Sequence, residues 1–70
     1  MNTDSTPQRL LTAARRVFAE RGYEGGSVRL ITARAKANLG AVTYHFGSKE
    51  RLYNAVLSEF MVPLGQTVVE

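Results

Sequence analysis

The stretch Val28–Leu52 reads VRLITARAKANLGAVTYHFGSKERL. Ser27 stands before it as a cap, and Val28, Ile31 and Ala35 fall at helical spacing behind that cap. Lys36-Ala37-Asn38 then reads as a turn. A second short helix is expected from about Leu39 to Tyr44 or Phe46, with Ala37, Val42 and Phe46 facing inward. Gly47 breaks it, and Ser48 caps a further helix. Two short helices about a tight turn, followed by a third, predict a compact all-α unit. The stretch is also basic. Arg29, Arg34, Lys36, Lys49 and Arg51 stand against Glu50 alone, a net charge of +4. The rest of the chain is near neutral, so the basic charge is concentrated where a phosphate-bearing partner could dock.

Outward from this stretch, an earlier helix is expected to begin near Pro7, with Thr6 as its cap. Leu10, Leu11, Ala14, Val17 and Phe18 form its apolar stripe, and Gly22 ends it. Tyr23 to Gly26 is expected to be a loop. On the far side, Leu52, Val56 and Phe60 form a stripe at every fourth position, with Ala55 beside it. Pro63 and Gly65 end or kink that helix. The expected organisation is a flexible arm at 1–6, a helical domain at 7–62 and the start of a further region at 63–70. Val62, Leu64, Val68 and Val69 carry apolar character to the last residues, which would pack on a continuation of the chain.

Composition narrows the function. Seventy residues make one small domain, with little stability to spare. Cysteine is absent, and a lone histidine, His45, argues against a zinc site within one chain. No apolar run approaches the ~20 residues needed to span a bilayer. The N-terminal MNTDSTPQ lacks the apolar core of a signal peptide. The chain is expected to be soluble and cytoplasmic, with no cofactor or metal and no membrane partner. His45 has no nucleophile or orienting carboxylate near it in sequence, so no catalytic constellation is present.

Helix pairs of this kind can read DNA: the first helix crosses the backbone and the second enters the major groove. The entering helix must then expose small or polar residues. Here the outer face would be Leu39, Gly40, Ala41, Thr43, Tyr44 and His45. Gly40 and Ala41 permit close approach, and Thr43, Tyr44 and His45 carry hydrogen-bonding groups for phosphate oxygens. The other possibility is a helical protein–protein interaction module that docks through the fourth helix and the apolar tail.

Several runs resemble a known family: Ile31-Thr32-Ala33-Arg34-Ala35, Asn38-Leu39-Gly40, Tyr44-His45-Phe46 and Lys49-Glu50-Arg51-Leu52. Upstream, Ala14 to Tyr23 (ARRVFAERGY) adds Phe-x-x-x-Gly-Tyr. Together these are similar to the N-terminal domain of tetracycline-repressor-type (TetR/AcrR) regulators, over roughly Gln8 to Phe60. The resemblance implies a small helical bundle with a helix-turn-helix in helices 2 and 3 and the start of a long fourth helix. It implies binding to a double-stranded DNA operator as part of a ligand-responsive regulator, a repressor. Arg29 would reach a base edge or phosphate. Leu39, Gly40 and Ala41 would meet base edges and thymine methyls. Thr43, Tyr44 and His45 would hold the backbone, and Lys49 would clamp a phosphate at the start of helix 4. A homodimer is implied for the intact protein, and a small-molecule effector only in a C-terminal region beyond this one. The family usually has glycine where Lys36 stands, often a larger aliphatic residue where Ala37 stands, and commonly an acid where Leu30 stands.

Overall fold

A computed structural model of the protein describes residues 5–60, the side chain of Phe60 excepted. Four helices follow one another: α1 (Thr6–Gly25), α2 (Val28–Ala35), α3 (Ala41–Phe46) and α4 (Lys49–Phe60). The apolar stripe of α1 is the spine of the domain. Leu10, Ala14 and Val17 are fully covered, and they pack with Ile31 and Ala35 of α2, Val42 of α3, and Leu52 and Val56 of α4. Val28, Ala37, Phe46 and Ala55 are half-buried against this core.

Local chemistry sets the boundaries. Ser5, not Thr6, caps α1: its side chain accepts from the Gln8 backbone N–H at 3.3 Å. Thr6 already lies in the helix, so the expected arm is corrected at residues 5 and 6. Residues 1–4 lie outside the described residues. Gly22 interrupts α1 with φ 76°, a conformation that costs a glycine little. The chain then makes one further turn, so Tyr23–Gly25 is helical where a loop was expected. Gly26 sits against the ring of Phe18, where a Cβ would lie 2.7 Å from Cδ1.

Ser27 caps α2 through the Leu30 N–H at 3.0 Å, and Ser48 caps α4 through the Arg51 N–H at 3.1 Å. Thr32, a polar residue, is buried on α2 because its hydroxyl donates back to the carbonyls of Val28 and Arg29. The α2 helix ends on Lys36, held left-handed at φ 57°, ψ 46°. Lys36 N–H bonds the Ala33 carbonyl and Ala37 N–H the Thr32 carbonyl, a Schellman closure. The expected turn is therefore in place.

The start of α3 is corrected from Leu39 to Ala41. Asn38 accepts from the Ala41 N–H at 2.9 Å and closes a turn over Leu39 and Gly40 before the helix begins. Gly47 ends α3 with φ 99°. The expected contributions of Phe60, Val62, Pro63, Leu64, Gly65, Val68 and Val69, and the boundary at 62/63, lie outside the described side chains.

Lys36 is the one non-glycine residue with positive φ among the described residues. Left-handed backbone costs a side-chain-bearing residue about 1–2 kcal/mol, and glycine's extra unfolded-state entropy offsets about 0.5–1 of that. Lys36→Gly should therefore leave stability unchanged or raise it by up to about 1.5 kcal/mol, read as a higher Tm in a thermal melt. A clear drop in Tm would contradict the strain assigned to this position.

Candidate nucleic-acid interface

The α2–α3 turn and the face of α3 stand at the surface. Leu39 is 49% exposed and Tyr44 83%. Thr43, His45 and Gly40 are exposed as well. The rings of Tyr44 and His45 meet edge to face, with centroids 4.8 Å apart. Successive aromatic side chains on a helix of under two turns thus form one polar-tipped ridge, which carries a phenol and an imidazole outward.

Ala41 is a correction. It is 9% exposed and lies in the core cluster rather than on the outer face. Ala41 opens α3 beside the buried Val42 and is itself covered, while His45, one turn further on, is exposed. The Ala41 methyl forms part of the floor of a surface cleft, not a projection from it.

That cleft has a volume of about 400 Å³ and is lined by Gly40, Ala41, Tyr44 and His45 from the expected set. Arg9 from α1, and Lys36 and Asn38 from the turn, complete the wall. Arg9 was not singled out from the sequence. It is placed here because its Nε donates to the Ala35 carbonyl at 3.0 Å, across 26 residues of sequence. An arginine on the C-terminal carbonyl of a helix also meets the favourable end of the helix dipole. No pattern within α1 could have revealed that partner.

Arg29, Leu39, Thr43 and Lys49 do not line this cleft. Arg29 is exposed in the first turn of α2. Lys49 is half-buried in the first turn of α4, its Nζ 4.4 Å from the centroid of the Tyr23 ring. Tyr23 belongs to a three-ring cluster with Phe18 and Tyr53, with centroid separations of 4.9–5.9 Å. The end of α1 and the start of α4 are thus joined by aromatic packing with a cation on its edge. Arg34 pairs with Glu20 at 3.3 Å. That exposed pair contributes little to stability, but it neutralises one of the basic charges near the turn.

The family model for bacterial regulatory proteins of the tetR family matches residues 10–56, from the first buried leucine of α1 to the last buried valine of α4. The chain belongs to that family. Over 63 residues this tetR-family chain is 43% identical to the HTH-type transcriptional repressor AcnR of Corynebacterium efficiens, a match covering 90% of this chain and 34% of that protein. It is 38% identical over 63 residues to the HTH-type transcriptional repressor NicS of Pseudomonas putida, covering 90% and 30%. Among solved structures, HlyIIR, a hemolysin II transcriptional regulator, superposes with a TM-score of 0.76 at 42% identity, over 79% of this chain and 31% of that one. The chain spans about a third of the length of the relatives it matches. Among its described residues, no helix is long and apolar enough to cross a membrane.

Removing the Lys49 ammonium from the Tyr23 ring should lower stability by about 0.5–1 kcal/mol, the usual worth of a partly exposed cation–π contact. Urea denaturation of Lys49→Met, which keeps most of the apolar stem, measures this. Equal midpoints for the two proteins would show that the contact does no more than offset the repulsion between the ammonium and the helix N-terminus.

Proposed function

We propose that this chain is the operator-binding module of a ligand-responsive transcriptional repressor. The observation that carries the reading is the exposed ridge of Tyr44 and His45 on α3, set beside the cationic wall of Arg9 and Lys36, in a chain of the tetR family. In this reading α3 enters the major groove, and the small residue Gly40 lets its start approach the bases. Leu39 offers an apolar contact of the kind that meets a thymine methyl. Ala41, being buried, acts through packing and leaves base contact to its neighbours. Thr43, Tyr44 and His45 bond the backbone. Arg29 reaches a base edge or phosphate from the first turn of α2.

Lys49 acts at the first turn of α4, where free N–H groups already favour an anion. Its position over Tyr23 keeps the ammonium near the surface, from which it can reach a phosphate. The intact regulator acts as a homodimer, and two modules then address two half-sites set by the helical repeat of DNA. The effector binds in the part of the regulator that this chain does not span. Such a protein works where bacterial DNA lies, in the cytoplasm.

Titration of random duplex DNA at increasing salt tests the reading. Affinity should fall steeply, by a slope of about 0.9 in log–log form for each phosphate neutralised. A protein-docking module would show no such binding, and a flat response would refute the DNA assignment. Within a binding chain, Lys49→Ala should weaken all sequences alike and reduce the slope by about 0.9. Arg29→Ala should cost about 1–3 kcal/mol and relax one base position if the guanidinium reads guanine. A uniform loss from Arg29→Ala would place it on phosphate instead, as selection of bound sites from a random pool would reveal.

A further inference from the structure

A second cleft, of about 440 Å³, adjoins the first along α1. Arg9 and Lys36 line both. Arg16 and Arg34 extend the wall on the side away from α3, and the floor is the methyl groups of Ala13 and Ala35. Among the described residues, no carboxylate lines either cleft. Arg34 is neutralised by Glu20, whereas the side chains of Arg16 and Lys36 have no bonded partner among the described residues. The positive charge is therefore continuous from the start of α3 to the middle of α1.

Two features single out the residues shared by the clefts. The Arg9 guanidinium is already fixed through Nε on the Ala35 carbonyl, part-buried, and its terminal N–H groups have no partner among the described residues. An oriented guanidinium with free forked donors is suited to a phosphate oxygen pair. Lys36 is held in left-handed backbone, where its side chain is a steric liability. It is exposed and takes no part in the core, so packing does not account for a long cationic side chain at that position. The helix cap requires left-handed backbone there but not a lysine, so the cationic side chain is the feature that a binding role accounts for.

We propose that Arg9 and Lys36 together hold a backbone phosphate of the duplex, outside the contacts made by α3 itself. The occupant is a DNA phosphodiester rather than a free anion, because the same two side chains wall the cleft that contains Tyr44 and His45. Arg16, two turns further along α1, lines the adjoining cleft and extends the positive wall. The α1–α2 face thereby lengthens the footprint of the module beyond its helix-turn-helix. This inference rests on the DNA-binding reading above.

The test is the salt dependence of duplex binding by the 70-residue chain and three variants at one position. Lys36→Gly relieves the backbone, Lys36→Asn tolerates left-handed backbone without charge, and Lys36→Arg keeps the charge. The two neutral variants should lower the log–log slope by about 0.9, so that between 50 and 200 mM salt they lose about 3.5-fold less affinity than the wild type. Lys36→Arg should keep the wild-type slope. For Lys36→Gly, weaker DNA binding would then accompany an unchanged or higher Tm, so misfolding could not be the cause. A wild type that binds duplex with the same slope as Lys36→Gly and Lys36→Asn overturns this proposal alone. A wild type with no salt-dependent binding overturns the DNA-binding reading as well.

Discussion

The α2 and α3 helices have eight and six residues, well under the ~12–15 at which an isolated helix is even marginal in water. Their helicity therefore depends on burial against α1. Ile31, Ala35 and Val42 provide it, in one core cluster with the stripe of Leu10, Ala14 and Val17. Everything at the surface follows from this dependence. The outward direction of Tyr44 and His45 is fixed because Val42 is fixed, and the turn between α2 and α3 holds both inner faces in the core. Loss of a buried aliphatic side chain typically costs about 2–5 kcal/mol, a large part of the stability of so small a domain. The orientation of the exposed ridge thus rests on a few methyl groups on the opposite side of the helices.

The backbone at Lys36 is the second constraint, and it connects packing to charge. A Schellman closure requires a left-handed residue at the end of α2, whatever that residue is. The same closure frees the Ala35 carbonyl to accept from Arg9. That bond draws a guanidinium from α1 to the turn, so the cap that ends α2 also assembles the cationic wall. Arg9 and Lys36 come together through backbone geometry, not through attraction, since both are positive.

Elements with several helical turns were legible in the sequence. The α1 stripe, the Ile31–Ala35 face and the Leu52–Val56 pair all follow from apolar spacing, and Ser27 and Ser48 declare their caps by type. Three readings failed for physical reasons. Ser5 and Thr6 are both good capping residues, and type alone does not choose between neighbours. A helix of six residues completes fewer than two turns, too few for apolar spacing to define its buried face, and Ala41, beside the inward-facing Val42, proves to be core rather than surface. Gly22 takes positive φ but interrupts α1 without ending it, so Tyr23–Gly25 is helical where a loop was expected. The contacts of Arg9 with Ala35 and of Lys49 with Tyr23 join residues 26 apart in each case, and no local pattern encodes them.

The Lys49–Tyr23 contact bears on the phosphate contact proposed for Lys49. A lysine at the start of a helix faces unpaired N–H groups and the positive end of the dipole, an unfavourable place for a cation without a compensating partner. The π-face of Tyr23 supplies one, and Phe18 and Tyr53 hold that ring in turn. A phosphate at the same helix end would relieve the repulsion further by adding the missing negative charge. The ammonium would therefore have reason to exchange an aromatic partner for an anionic one, or to bridge the two. On this view the aromatic cluster is more than packing between α1 and α4. In the proposed DNA-binding role, it would keep a cation, in a poor electrostatic position, ready for the anion that would make the position favourable.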